Sequence, residues 1–253
     1  MKVQTILPIA ALTVLATSAQ ATVLFYDDFE SYELGSEING QGGWTANASY
    51  TITTFSYNGT QAVHSGNNVA DAAISNTFAA QSDGTTIYMG ADVDFRPGAA
   101  NTYFFNLSDS ASRDNSAGAN YLSSGVRARN FDGSGGSSVG SINTYGDPTR
   151  VVVEVSASGG LGTNYDTVKI YSLLDGYTSV ISTVVYDTGI SSLDTIFGAR
   201  GSDTNGNSFV FDNLVIATTF AEAQMTIPEP STYAALAGVG ALGLAMFLRR
   251  RKR

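Results

Sequence analysis

The stretch TIYMGADVDF, Thr86 to Phe95, alternates without a break: Ile87, Met89, Ala91, Val93 and Phe95 fall on one side, Tyr88, Asp92 and Asp94 on the other. A two-residue period suits a half-buried strand; an apolar helix stripe recurs every three to four residues instead. RVVVEVS sets Val151, Val153 and Val155 against Val152 and Glu154 in the same way. TVLFYDDF, WTANASYTITTF, DAAISNTF, NTYFFNLSD, YLSSGVRARNF, DTVKIYSL, VISTVVYD and SFVFDNLVIA are further strand candidates. Turns rich in Gly, Asn, Asp and Ser, such as SDG, SASGGLG and SDTNGN, separate them. Between its two ends the chain has no convincing helical stripe. Roughly ten or more short strands over this length imply an all-β fold, a large antiparallel jelly-roll β-sandwich. FDGSGGSSVGSI reads as a long surface loop, because the strands on both sides look alike.

Composition narrows what such a sandwich can do. The chain has no cysteine and a single histidine. That excludes disulfide staples, thiolate metal sites, thiol nucleophiles and any histidine cluster. His64, in AVHSG, reads as a strand-end residue more readily than as a base. Of the 13 Lys and Arg, Lys2 and the five residues Arg249, Arg250, Arg251, Lys252 and Arg253 lie at the ends, leaving 7 in the body. Of the 22 Asp and Glu only Glu229 lies outside it, leaving 21 and a body charge of about −14. Nucleic acid and anionic membrane surfaces are poor partners for such a body; neutral glycans and divalent cations fit better.

Both ends look like targeting segments. Lys2, the apolar run TILPIAALTVLAT and the small residues Ala19 and Ala21 read as a signal peptide over residues 1–21, cut by signal peptidase to leave Thr22 first. The body then spans 22–227 and the tail 228–253. From Tyr233 to Leu248 the tail runs sixteen residues without a charge. As a transmembrane helix that is about 24 Å, slightly short for a bilayer core of ~30 Å, yet workable with snorkelling arginines. The basic end stays cytoplasmic, which puts the body outside. Pro228-Glu229-Pro230, a short apolar helix and a terminal arginine cluster together resemble the PEP-CTERM sorting signal. That resemblance implies a secreted precursor held in the inner membrane until an exosortase cuts near the motif. It further implies a Gram-negative, exopolysaccharide-making host and delivery to the cell surface or matrix.

The body carries a second resemblance. It opens FYDDFESYELGSEINGQGGW and closes SFVFDNLVIA. An opening Asp-Phe-Glu, a Gly-rich turn into Trp and a final Phe-Asp-Asn-Leu strand resemble concanavalin A-like lectin/glucanase domains, including the LamG-like ones. In that family the first and last strands lie side by side, so these two stretches are expected to meet. Glucanases of this fold use a Glu-x-Asp-x-x-Glu strand motif, in which a nucleophile and an acid stand ~5–5.5 Å apart. Here the nearest match, Asp92-x-Asp94-x-x-Pro97, lacks both glutamates. The pair could hold a cation or simply solvate its strand face.

Other candidates are weaker. Trp44, Tyr88, Asp92 and Asp94 are possible glycan contacts, since a flat ring packs against a pyranose; Trp44 reads more readily as core. Arg127 and Arg129 share a strand face that could bind glycan or face water. Asp212 alternates with Val210, Leu214 and Ile216, and a carboxylate among them needs a hydrogen bond, a partner charge or a metal. The glucanase resemblance implies a structural Ca2+ there, with Asp212 carried over and Glu30 and Asp28 as further oxygen donors. The alternative is an Asp212 bonded to neighbouring backbone amides. These observations favour an exported, non-catalytic and glycan-associated β-sandwich at the cell surface or in an exopolysaccharide matrix. The other possibilities are a glycan-active hydrolase or lyase, and a purely structural or adhesive matrix protein.

Overall fold

The computed structural model describes residues 22–225 apart from 48–49, 55–58, 66–72, 83, 96–101, 111–115, 123–124, 130–148, 159, 161–163, 173–179, 186–188 and 201–208. The signal segment with Ala19 and Ala21, the motif Pro228, Glu229 and Pro230, the apolar run 233–248 and Pro97 lie outside the described residues. Among the described residues no helix is long and apolar enough to cross a membrane.

The described residues form fourteen strands in chain order: β1 Val23–Asp27, β2 Thr45–Ala46, β3 Tyr50–Thr54, β4 Gln61–Ser65, β5 Ala73–Ser82, β6 Ile87–Phe95 and β7 Thr102–Ser108, then β8 Ser116–Leu122, β9 Gly125–Arg129, β10 Thr149–Ser156, β11 Thr167–Ser172, β12 Val180–Val185, β13 Ser192–Arg200 and β14 Phe209–Ala217. One short helix, α1, follows at Phe220–Gln224. An 8-stranded sheet runs β12-β11-β10-β6-β14-β4-β3, with β1 also paired to β14. A 6-stranded sheet runs β2-β5-β13-β7-β8-β9. The strand pairs are antiparallel, so the fold is the two-layer sandwich expected of an all-β pattern.

The alternation at Thr86 to Phe95 translates directly into packing. Ile87, Met89, Ala91 and Val93 of β6 enter the core with Val151, Val153 and Val155 of β10. β1 lies against the C-terminal half of β14, pairing Phe25 with Ile216 and Asp27 with Leu214. The opening and closing stretches therefore meet, and Phe29 packs edge-on against Phe211 at 5.3 Å.

Two features depart from the sequence pattern. β14 carries one extra residue against β6: Asp212 faces Asp92 and Val215 faces Gly90, three steps against two. Asn213 absorbs the bulge at φ 51°, a left-handed conformation that Asn tolerates better than branched residues. The bulge reverses the strand's phase. Phe209, Phe211, Leu214 and Ile216 face the core, while Asp212 turns to the outer face beside Asp92. The reading that put Asp212 on one face with Leu214 and Ile216 is thus corrected.

The second departure is α1 itself, too short to show a helical period. Thr219 caps it: its Oγ1 accepts from the Glu222 backbone N–H at 3.4 Å and donates to Glu222 Oε2 at 3.0 Å. The helix lies across β10, β6 and β14 on the outer face of the larger sheet. It can approach because residue 90 is glycine; a Cβ there would stand 1.9 Å from the Ala223 carbonyl oxygen.

Candidate functional site

The opening signature is organised around one carboxylate. Asp27 Oδ1 accepts from the Phe29 backbone N–H at 2.9 Å, and Oδ2 accepts from Tyr32 Oη at 2.6 Å and Trp44 Nε1 at 2.8 Å. Phe29 adopts φ 57° to turn the chain tightly around it. Burial pushes the Asp27 carboxyl up, and these hydrogen bonds oppose the shift. Trp44 is 1% exposed, enclosed by Phe25, Phe29 and Phe211 at ring separations of 5.8 to 6.4 Å. A buried indole needs an acceptor for its N–H, which Asp27 supplies. Trp44 is a core residue with no free ring face, the core alternative and not the glycan contact.

A second polar cluster occupies the outer face of the larger sheet. Asp92 pairs with Arg150 Nη1 at 3.4 Å and accepts from Asn213 Nδ2 at 2.9 Å. Arg150 also donates from Nη1 to Asn213 O at 2.7 Å, from Nε to Ala223 O at 3.2 Å, and from Nη2 to Ala223 O and Met225 O, each at 2.9 Å. Asp94, 3% exposed and opposite Val210, is closed to a sugar ring. Tyr88 packs edge-on against Phe220 of α1 at 5.9 Å and stands across from Glu154, which bonds Lys169 Nζ and Tyr171 Oη at 2.7 Å each. The expectation that Tyr88, Asp92 and Asp94 form an open glycan-contact face is corrected, because α1 and Arg150 occupy it. In the sequence Arg150 follows Pro148 and Thr149 and reads as an ordinary solvated residue.

Asp212 is fully buried beside this cluster. Its Oδ2 accepts from Thr60 Oγ1 and its Oδ1 from the Asn213 backbone N–H, both at 2.6 Å. Burial raises its pKa to about 7; the two hydrogen bonds oppose the rise, and the nearby Asp92 and Glu30 charges add to it. Glu30 is occupied with Gln61, accepting from its backbone N–H and, at its own carbonyl, from Nε2 at 3.1 Å. Asp28 accepts from the Glu30 backbone N–H and Tyr26 Oη, each at 3.2 Å. Among the described residues no group of three or more His, Asp or Glu could hold a metal ion. Asp212, Glu30 and Asp28 are thus not gathered into such a group, and both oxygens of Asp212 accept from protein donors. The hydrogen-bonded alternative is the arrangement seen.

This placement has a pH signature. Asp212 holds its proton up to about pH 7 when folded, against ~3.9 in an unfolded chain. Between those values the folded state binds the extra proton, so this group's contribution falls as pH rises from 4 to 7. Asp212→Asn should therefore gain on the wild type by a few kcal/mol between pH 4 and 8, at ~1.4 kcal/mol per pKa unit. Urea midpoints of both proteins at the two pH values test this; parallel midpoints would contradict the burial-driven shift.

The smaller sheet presents a third arrangement, on its face away from the core. Asn106 pairs with Phe197 of β13 and with Gly118 of β8, and Gly118 pairs with Arg129. Ser108, Ser116 and Asn120 share that face, where Arg127 Nε donates to Asn120 Oδ1 at 3.3 Å. Asn106 is fully buried, yet neither Oδ1 nor Nδ2 has a hydrogen-bond partner among the described residues. An amide left so loses about 1–3 kcal/mol. The sequence reading picked out Arg127 and Arg129 on this face and missed Asn106. The available signal was the polar residue inside FFNLSD, on a strand otherwise rich in aromatics.

Residues 226–252 match the model of the PEP-CTERM protein-sorting motif. None of the curated proteins matches the sequence. The body is similar in structure to the binding domain of Paraclostridial Mosquitocidal Protein 1, with a TM-score of 0.51 and 9% identity over 80% of this chain. The chain spans about half, 51%, of that structure. Lectin I-B4 from Griffonia simplicifolia in its metal-free form has a TM-score of 0.47 and 10% identity, covering 77% of this chain and 98% of its own. The VIP36 exoplasmic/lumenal domain in its Ca2+/Man3GlcNAc-bound form has 0.42 and 10%, covering 75% and 89%. At such identities the likeness concerns the fold. The chain thus carries a PEP-CTERM protein-sorting motif behind an antiparallel, jelly-roll β-sandwich.

Proposed function

We propose that this is an exported β-sandwich, sorted by an exosortase to the cell surface or extracellular matrix, where it associates with neutral polysaccharide without catalysis. The observation that carries the proposal is the sorting motif at 226–252, placed directly after a folded body. In this reading signal peptidase releases the N-terminus. The tail then holds the precursor in the inner membrane with the body outside the cytoplasm. A body charge of about −14 disfavours nucleic acid and suits neutral exopolysaccharide. The glycan half of the proposal rests on that charge and on the resemblance of the body's opening and closing stretches to concanavalin A-like lectin domains. A hydrolase or lyase reading finds less support. Asp92 and Asp212 face each other across two strands, but Asp212 is sealed from solvent and Asp92 is held by Arg150.

The test follows the protein in a host that has an exosortase and makes exopolysaccharide, and measures whether the exported protein cosediments with that polysaccharide. Replacing the buried Asn106 by leucine, of nearly the same volume, removes both unpaired atoms, so stability should hold or rise. Intact mass of the exported protein should lack Arg249 to Arg253. Full-length tails on exported protein would refute the sorting reading. Absence of cosedimentation would refute the glycan half.

A further inference from the structure

Arg150 gives three of its hydrogen bonds to carbonyls at the very end of the body, Ala223 O and Met225 O. These are the groups that a helix C-terminus leaves without intrahelical partners. The same guanidinium is fixed from behind by Asp92 and by Asn213 O, and its side chain is 8% exposed. Gly90 lets the Ala223 carbonyl sit directly on β6, and Phe220 packs edge-on against Tyr88 at 5.9 Å and Tyr171 at 4.8 Å. Three independent contacts thus clamp a helix of five residues, which would be unstable in isolation. In the sequence, Met225 stands only three residues before Pro228.

We infer that α1 is a latch controlling access to the sorting motif, with Arg150 as its catch. The inference rests on the proposed exosortase processing and adds a regulatory step to it. At about 3.5 Å per extended residue, the motif can lie no more than ~10 Å from the latched Met225. A peptidase cleft must enclose chain on both sides of the bond it cuts, and a folded sheet within 10 Å leaves it little room. Releasing α1 frees residues 218–225, which adds about 25 Å of slack on the body side. Processing then proceeds through the open form, and its rate follows the open population when opening is fast. Arg150 touches none of the reacting atoms; it is a positioning residue. The device also orders events. Only a body whose β6, β10 and β14 are in register can form the catch, so the latch reports completed folding.

The experiment follows full-length precursor in a host with its exosortase, by pulse-chase, for wild type, Arg150→Met and Gly90→Ala. Gly90→Ala is the steric control, because it displaces α1 and leaves every charge in place. Hydrogen exchange on full-length precursor from an exosortase-deficient strain reads the latch directly. The amides to follow are Ala223, which bonds Thr219 O, and Met225, which bonds Glu222 O. Both variants should exchange these amides faster and shorten the precursor half-life about fivefold or more, with the Trp44 fluorescence melt showing the body still folded. Should Arg150→Met unfold the body, Gly90→Ala alone decides. Faster exchange with an unchanged or longer half-life would overturn the latch, and so would unchanged exchange in a folded variant. A wild-type precursor that is exported but never shortened would instead overturn the underlying sorting reading.

Discussion

Met89→Asp should leave the body unfolded at neutral pH. Met89 is 1% exposed in the centre of β6, between Val153 of β10 and Ile216 of β14. Removing its side chain from a packed core costs about 2–5 kcal/mol, and an unpaired carboxylate in its place adds several more. The sum rivals the 5–15 kcal/mol that holds a typical domain folded. Asp92, three residues on and on the opposite face, makes the comparison. From sequence alone Asp92→Asn reads as mild, a change on a solvated face. The structure revises that expectation, since the substitution leaves the Arg150 guanidinium without its carboxylate partner. A loss of about 1–3 kcal/mol is expected, still well short of Met89→Asp. Urea unfolding followed by Trp44, the only tryptophan and wholly enclosed, reads both. Two variants equally close to wild type would show the face assignment to be wrong.

Legibility followed the physics of each segment. β6 and β10 could be read directly, because each buries one face of an unbroken alternation and a period of two survives in the letters. β13 is not legible because its core residues Leu193 and Ile196 stand three apart, which breaks that period. The bulge at Asn213 did the same to Asp212. One extra residue moved the carboxylate from an inferred core face to the outer one and replaced an inferred calcium ligand by a hydrogen-bonded acid. No periodicity argument locates such a bulge, although the Asp-Asn pair is a fair hint, since Asn accepts the left-handed turn. α1 is too short for a helical stripe; only the Thr219–Glu222 capping pair betrays it. Arg150 was invisible for a different reason. Its role depends on Asp92, Asn213 and Ala223, which lie far from it in sequence and converge only when the sheet forms.

Asp27→Ala is the remaining large effect, and it tests whether the opening signature is structural. Asp27 collects three donors, the Phe29 backbone N–H, Tyr32 Oη and Trp44 Nε1, and thereby joins β1 to the Gly-rich turn that delivers Trp44 into the core. Alanine leaves all three without their acceptor. Tyr32 is only partly buried and can turn to water, whereas Trp44 cannot. At about 1–3 kcal/mol for each stranded buried donor, a loss of about 3–5 kcal/mol is expected. Asp27→Asn keeps one carbonyl oxygen for the donors and should lose less. Trp44→Phe separates packing from the hydrogen bond, because it retains an aromatic ring among Phe25, Phe29 and Phe211 but removes the N–H. In a double-mutant cycle Asp27→Ala and Trp44→Phe should couple by about 1–3 kcal/mol, the range for a hydrogen bond to a charged group in contact. With Trp44 lost as a reporter, near-ultraviolet circular dichroism of the tyrosines supplies the readout. Additive losses would mean that Asp27 holds the backbone turn at Phe29 and contributes nothing through the indole. A coupling in the expected range would explain in physical terms why an aspartate at the end of the first strand accompanies a tryptophan seventeen residues later.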